Sequence, residues 1–451
     1  MRASVEFGEE LRKRRLEAGL SLTGLSARVH YSKAHLSKVE RGLKRPSGDL
    51  ARLCDAALGA GGALVGPVLR RPTPGRAPRE GVAGESRPPR HNDEEARLMN
   101  TSAGEDPRAR SIGRRRVMAT GAGAAMAMGV SRPSPAEAAT PTASSLPGTD
   151  TEGAAGGPVE GARTLFDHYR RVGQTVDPNF LLPALVAQTR SLREAAGEAG
   201  GADRRALLLL ASRYAEYAGW LVQETGDDAG ALARTRLAVE LAEAAGDETL
   251  TGYALTRHAL IAMYRGDARQ TVELSRRAAH PRLPARVRGL AAQHEAQGHA
   301  LAGDHTACMR SLDRARELLS EDRTTPDTPV LGSTHLPDIV GVVTGWCLVD
   351  LGRPDEAARV LDRQVARVPA RALRARTRFG VRRALAHAMA GEIDHAARLT
   401  GELLDDIEAV NSATVTTDVR RLARVLTRHE RRPEVRGVAP RLGHLTEIRH
   451  R

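Results

Sequence analysis

A turn that begins with glycine recurs five times in the C-terminal half of the chain. Each copy follows a helix-like segment and opens another, and successive copies stand 40, 37, 49 and 39 residues apart. The five segments are Gly226–Ala231, Gly266–Thr271, Gly303–Cys308, Gly352–Ala357 and Gly391–Ala396. Spacings of this size are typical of proteins built from stacked structural repeats. The pattern therefore predicts an array of helical repeats over residues 160–430.

The positions within each turn are also informative. A glycine that closes one helix, followed five positions later by a small residue where the next helix meets its neighbour, resembles the tetratricopeptide repeat. The resemblance implies an α-solenoid of helix pairs whose concave side holds a peptide or a partner protein. An ordinary helical bundle is the alternative. Aromatic residues make up only 3% of the chain, whereas strands are usually rich in aromatic and β-branched side chains, so an all-α protein is predicted.

Composition divides the chain into parts. Residues 1–69 and 160–430 show helical periodicity, residues 70–159 are rich in Pro, Gly and Arg, and residues 431–451 are basic. The middle part predicts a disordered linker, and the last part predicts a basic tail. A linker of about ninety residues argues against tight mechanical coupling of the two folded domains.

Within the linker, residues 113–130 pair three arginines with a fourteen-residue apolar stretch and resemble a twin-arginine export signal. Such signals act at an N-terminus, and fourteen small residues are too few to span a bilayer as a helix. The preferred interpretation is a solvated alanine-rich helix or a relic of gene fusion, and a weak contact with a membrane surface is the less favoured alternative.

The net charge of +13 is concentrated near the N-terminus, with +5 in residues 1–58, +6 in residues 59–135 and +2 in the remainder. A concentrated basic excess favours a polyanion partner. The three cysteines, Cys54, Cys308 and Cys347, have no paired spacing, which predicts neither a disulfide framework nor a Cys-rich zinc site. The chain opens without the apolar run of a signal peptide, and a reducing cytoplasm is the expected location.

Four or five short helices are predicted in the first seventy residues, four of them with an apolar stripe. Their inward-facing stripes are Phe7, Leu11 and Ala18, then Leu22, Leu25 and Val29, then Leu36 and Val39, then Leu50, Leu53, Cys54 and Ala57. Ser32 is predicted to cap the third helix. The outward face of that helix is polar and basic.

The segment from Gly19 to Gly42 resembles the helix-turn-helix of Cro and phage repressors, and the match covers residues 5–60. In that family the third helix enters the major groove of double-stranded DNA. The resemblance implies the following DNA-binding residues: Thr23, Ser32, Lys33, Ala34, His35, Ser37, Lys38 and Lys44. Lys33 and His35 are the expected base readers. His30 stands where the family often has glycine, and histidine is among the residues enriched at positive φ.

Two pairs of residues come near to metal-binding patterns. His294 and His299 approach the zinc-protease pattern, but five positions turn the second histidine away from the first, and zinc needs a spacing of four. His305 and Cys308 share a helix face, where packing is the commoner role. We find no phosphate-binding loop and no nucleophile constellation. The sequence therefore predicts no enzyme activity, no cofactor and no metal.

The pairing of a Cro-type domain with tetratricopeptide-like repeats resembles peptide-sensing regulators and the pleiotropic regulators of development and secondary metabolism in mycelial actinobacteria. The resemblance implies a sequence-specific transcriptional regulator, associated with the nucleoid, that acts as a homodimer. The repeat domain would supply the dimer interface and sense a peptide or protein. The alternative is a non-enzymatic scaffold that uses both helical domains to bind proteins.

Overall fold

Five helices precede the linker in the computed structural model, which describes residues 2–69, 157–321 and 330–447. They are α1 Arg2–Glu17, α2 Leu22–Val29, α3 Lys33–Glu40, α4 Gly48–Leu58 and the short α5 Gly66–Leu69. Serine hydroxyls begin three of them, because Ser21, Ser32 and Ser47 each accept a hydrogen bond from the amide three residues on, at 3.0, 3.2 and 3.2 Å. Such caps satisfy amides that the helix itself leaves unpaired. The predicted role of Ser32 is thus confirmed.

The apolar stripes meet in one core, except for Ala18, which lies exposed in the turn after α1. Phe7, Leu11, Leu25, Leu36 and Leu50 are all buried there. α1 crosses the end of α3 so closely that a Cβ on Gly8 would lie 2.5 Å from the Val39 carbonyl oxygen. The same crossing is held by a buried ion pair in which Arg15 donates to Glu40 at 2.6 and 3.0 Å.

The C-terminal part is a succession of antiparallel helices. They are α6 Pro158–Val172, α7 Pro178–Glu198, α8 Gly201–Thr225, α9 Asp228–Ala244, α10 Thr249–Tyr264, α11 Ala268–Arg277, α12 Ala285–Ala302, α13 His305–Ser320, α14 Ile339–Asp350, α15 Pro354–Val365, α16 Leu373–Met389, α17 Ile393–Val410, α18 Ala413–Leu426 and α19 Pro433–Glu447, with a 3₁₀ turn at Thr427–His429. The described residues contain no β-strand, and the all-α prediction is confirmed.

The recurring turns have one conformation. Their glycines adopt positive φ values between 72° and 95°; they are Gly226, Gly266, Gly303, Gly352 and Gly391. Only glycine enters this left-handed region without steric cost. In three turns the next residue, an aspartate, caps the following helix through its carboxylate: Asp227, Asp267 and Asp304.

The small residue five positions after each glycine is buried, as the repeat pattern requires; these residues are Ala231, Thr271, Cys308, Ala357 and Ala396. The pairs α8–α9, α10–α11, α12–α13, α14–α15 and α16–α17 therefore stack as tetratricopeptide-like repeats, and the solenoid prediction is confirmed.

The C-terminal segment differs from the expected basic tail. Residues 433–447 form α19, which buries Val435, Val438 and Leu442 against α17 and α18. Its apolar positions are three to four residues apart and were overlooked among the arginines. The linker over residues 70–156, including the segment 113–130, lies outside the described residues.

The helix-turn-helix domain and the repeats belong to one compact unit. Their cores merge, since Leu50 and Leu53 share a buried cluster with Leu348, Val349 and Val425. Weak mechanical coupling was expected from the long linker. The two domains instead pack directly against each other, so that expectation is wrong. The length of a connection does not determine whether the surfaces that it joins fit together.

Candidate nucleic-acid interface and the cavity of the repeat domain

The face of α3 that points away from the core is open to solvent. Six of the predicted DNA-binding residues are exposed, namely Thr23, Ser32, Lys33, Ala34, Lys38 and Lys44, and two are partly buried, namely His35 and Ser37. Packing against the repeats leaves this face uncovered. A protruding helix with lysines at its start and near its end has the size and charge that the major groove admits.

His35 is held more firmly than its neighbours. Its ring packs edge-on against Tyr31, with 5.2 Å between the centroids. Burial lowers the pKa of His35, and the positive charges of Lys44, Arg428 and Lys38 lower it further. The imidazole is therefore neutral at pH 7 and can either donate or accept a hydrogen bond.

The turn before α3 depends on His30. This residue ends α2 in the left-handed conformation, with φ 52° and ψ 37°, as expected for the position where the family often has glycine. Its ring also lies against the last repeat turn, because a Cβ on Gly391 would be 2.8 Å from His30 Nδ1.

One basic residue beside this face was missed from the sequence. Arg428 comes from the 3₁₀ turn after α18, is exposed, and places its guanidinium carbon 4.4 Å from the centroid of the Tyr31 ring. It thus adds a positive charge from the repeat domain next to Ser32, at the start of α3. The sequence signal for Arg428 was the run of arginines over residues 420–432. A net charge counted over the whole C-terminal part does not reveal this run, because acidic residues elsewhere offset it.

Three consecutive repeat turns form part of the surface that contacts the helix-turn-helix domain. A Cβ on Gly303 would lie 2.7 Å from the Gly62 Cα, and one on Gly352 would collide with the carbonyl of Arg52. Gly391 meets His30 as described above. The corresponding Gly266 has nothing within 4 Å of such a Cβ. Glycine is therefore required in the last three turns for two reasons: the positive φ, and the short distance between the turn and the helix-turn-helix domain.

A chain of ionic contacts crosses the same interface. Arg421 of α18 donates to Asp49 of α4 at 3.0 Å and to Asp350 of α14 at 2.8 Å. Asp350 also accepts a hydrogen bond from Trp346 Nε1 at 3.0 Å. Burial alone would raise the pKa of Asp49, but the guanidiniums of Arg421 and Arg52 outweigh it and hold this pKa well below its ordinary range. Burial would also raise the pKa of Asp350, but Arg421 and Arg52 outweigh it and the pKa is lowered, so both carboxylates are ionised at neutral pH.

The concave side of the repeats encloses a cavity of about 180 Å³. Trp346 lies in its wall, so the ionic chain runs from the cavity to the helix-turn-helix domain. Five arginines also line it, namely Arg170, Arg213, Arg257, Arg374 and Arg378. Glu224 lies fully buried behind the last two and accepts from Arg374 at 3.4 Å and from Arg378 at 2.6 Å.

His294, in the wall of this cavity, should make the fold sensitive to acid. Burial lowers its pKa from about 6.5 to about 4, so below pH 6.5 the unfolded chain takes up a proton that the folded chain refuses. This residue then reduces the free energy of unfolding by up to about 1.4 kcal/mol per pH unit as the pH falls towards 4. The variant His294→Gln lacks this proton uptake.

Chemical unfolding of both proteins at neutral and at mildly acidic pH measures the effect. The wild type is expected to lose about 1–2 kcal/mol more than the variant between the two conditions. Equal losses would show that His294 is protonated in the folded state. Comparison with the variant cancels the contributions of the other histidines.

In the described ranges, no group of three or more His, Cys, Asp or Glu side chains is placed to hold a metal ion. Among the same residues, no helix is long and apolar enough to cross a bilayer. Cys308 packs in the repeat core and is fully buried.

The fold and the exposed α3 face define a helix-turn-helix protein with a C-terminal tetratricopeptide-like repeat domain. Comparison with family models agrees on the first part, since residues 6–67 match a family described as a helix-turn-helix domain. A comparison with curated proteins found no match. Among solved structures, the chain is similar to a Rap protein crystallised with competence and sporulation factor, with 11% identity and a TM-score of 0.41. That match covers 64% of this chain and 99% of the other.

Proposed function

We propose that this protein is a sequence-specific, non-enzymatic DNA-binding regulator of transcription that acts in the cytoplasm at the nucleoid. The exposed basic face of α3 on a helix-turn-helix domain is the observation that carries the proposal. Contacts to base edges would come from the start of α3, and contacts to phosphates from its end and the following loop. Development and secondary metabolism are the processes that the resemblance suggests.

Lys33 and Lys44 should respond differently to replacement by alanine. Lys33 follows the cap Ser32 at the start of α3 and can donate to guanine O6 and N7, so Lys33→Ala should cost about 1–3 kcal/mol on the cognate operator and little on random DNA. Lys44 lies in the loop after α3, so Lys44→Ala should weaken both alike and flatten the salt dependence. Gel shifts of the full chain at several salt concentrations, on an operator selected from a random library, measure both.

Arg428→Gln belongs to the same experiment and should behave like Lys44→Ala, because a positive charge beside the start of α3 attracts phosphates whatever the base sequence. Lys13→Ala is the control, since Lys13 is exposed on α1, away from α3. Equal losses on cognate and random DNA for Lys33→Ala would show that the helix register is wrong. A chain that bound no duplex at all would favour the scaffold function instead.

The proposal includes a homodimer. A single domain of this size contacts few base pairs, and related repressors engage two half-sites about one helical turn apart. The repeat domain is the proposed interface. Light scattering on the full chain is expected to give twice the monomer mass, and a monomer both alone and on operator DNA would contradict this.

The cavity in the repeats is the proposed sensory site, for which a peptide or a protein segment is the ligand class that the repeat architecture suggests. The ionic chain through Trp346, Asp350, Arg421 and Asp49 supports communication with α4, because its members share hydrogen bonds across the interface.

A further inference from the structure

The aromatic residues of this chain are concentrated around the cavity. The chain contains only two tryptophans, six tyrosines and four phenylalanines, and seven of these line it: Phe166, Tyr217, Trp220, Tyr253, Tyr264, Trp346 and Phe379. Tyr217 and Trp220 stack with 5.5 Å between their centroids. In a chain so poor in aromatic residues, such a wall favours a ligand with a flat ring.

The chain itself fills part of the concave side. Residues 330–333 cross it as an irregular segment whose carbonyl oxygens accept hydrogen bonds from two arginines. Arg170 donates to Val330 and Gly332 at 2.6 and 2.5 Å, and Arg286 donates to Leu331 and Ser333 at 2.6 and 2.8 Å. An extended peptide would need these same donors. The remaining space of about 180 Å³ suits a compact molecule.

Several buried polar atoms of the wall have no hydrogen-bond partner. They are Arg213 Nε and Nη1, Gln293 Oε1, Gln297 Nε2 and Tyr264 Oη. Arg213 is only 2% exposed and Gln297 only 1%. Each such atom destabilises the protein until something pairs with it. The residues that carry them all line the cavity, so a single ligand can contact several of these side chains.

The charge around the cavity is positive. The five arginines of the wall face three carboxylates, namely Glu216 beside Arg257, Asp247 beside Arg213 at 2.9 Å, and Glu224. The cavity is therefore short of negative charge, and an anionic group would meet donors on Arg213 and Arg257. Gln293 Oε1 is an acceptor, so the ligand should also carry a donor.

We propose that the cavity binds a small aromatic carboxylate that bears a hydroxyl or N–H donor, rather than an extended peptide. The ring packs against the aromatic wall, the carboxylate accepts from Arg213 and Arg257, and the donor pairs with Gln293. This proposal rests on the sensory role proposed above. It replaces the peptide or protein segment named there with a small molecule of stated chemistry.

Matched probes test the charge requirement. The full chain is titrated with 4-hydroxyphenylacetate and 4-hydroxybenzoate, and with the primary amide of each, while tryptophan emission is recorded under selective excitation. Trp220 and Trp346, the two tryptophans of the chain, both line the cavity, so binding there changes the signal. At least one carboxylate should bind about tenfold more tightly than its amide, because a hydrogen bond to an ionised group is the stronger one.

Two variants locate the binding. Arg213→Gln should remove the preference for the carboxylate, while Arg269→Gln, at an exposed position on α11, should keep it. Tyr264→Phe removes a buried hydroxyl that has no partner, so it should keep or raise the melting temperature, and it should weaken binding severalfold because the ligand loses the hydrogen bond that this hydroxyl can make. This variant keeps the test valid even if Arg213→Gln folds poorly.

Three results would overturn the proposal. They are no change in emission with any probe at millimolar concentration, equal affinity for carboxylate and amide, or an unchanged preference in Arg213→Gln. Binding of a peptide that displaced residues 330–333 would restore the peptide as ligand. None of these results depends on DNA, so failure here is distinguishable from failure of the regulator function, which the Lys33 experiment detects.

Discussion

Replacing Arg421 with leucine should lower the free energy of unfolding by about 3–5 kcal/mol. Arg421 is the one partner that Asp49 and Asp350 share across the interface, and the side chains of both aspartates are only 5% exposed. Without the guanidinium, two carboxylates are left close together in a buried place, with Arg52 beside Asp49 at 3.1 Å as the nearest remaining cation. A buried charge that loses its partner costs far more than the pair contributes while it is intact.

The control is Arg269→Leu, which removes an arginine from an exposed position on α11. Substitutions at such surface sites usually change stability by less than about 0.5 kcal/mol. Chemical denaturation of both variants gives the comparison. A loss below about 1 kcal/mol in Arg421→Leu would mean that water replaces the guanidinium and that the interface is wetter than the contacts indicate.

Gly352→Ala is expected to be much more harmful than the same change at Gly266. Both glycines end the first helix of a repeat with similar φ values, 72° and 76°, so the strain of a left-handed alanine, about 1–2 kcal/mol, is common to both. At Gly352 the new methyl group also collides with the backbone carbonyl of Arg52, whereas at Gly266 it meets open space. Because a carbonyl in a helix cannot rotate away, α4 must move off the repeat turn.

The difference between the two variants therefore measures the contact between the domains. We expect Gly352→Ala to lose about 1–3 kcal/mol more than Gly266→Ala, the usual cost of overpacking a rigid contact. Thermal and chemical unfolding of the two proteins side by side gives this value. If the two variants were equally stable, the close approach of the helix-turn-helix domain to this turn would be absent in solution.

Most of the secondary structure could be predicted because its signals are local. Ser32 caps α3 through an amide three residues away, and Gly303 ends a helix through its own φ. The periodicity of Leu36 and Val39 placed α3 with its polar face outward. α19 was missed because its sparse apolar positions lie among arginines and look like a solvated tail.

The candidate sites were predicted to a smaller extent. The exposed residues of α3 follow from the helix-turn-helix pattern, and their roles on DNA remain predictions. Arg428 was not predicted, since nothing near it in the chain indicates that it lies over Tyr31. The cavity was not predicted either, because its aromatic and arginine residues are spread over residues 166–379 and only the stacking of the repeats brings them together.

The sequence by itself determined the two helical domains, the caps that begin their helices and the glycine turns that separate the repeats. Each of these depends on residues within a few positions of one another, where the backbone geometry is nearly constant. Only the tertiary structure decided that Gly303, Gly352 and Gly391 also face the helix-turn-helix domain, and that Arg421 joins Asp49 to Asp350. These partners are between 71 and 372 positions apart, and the identity of a partner at that distance depends on how whole surfaces fit.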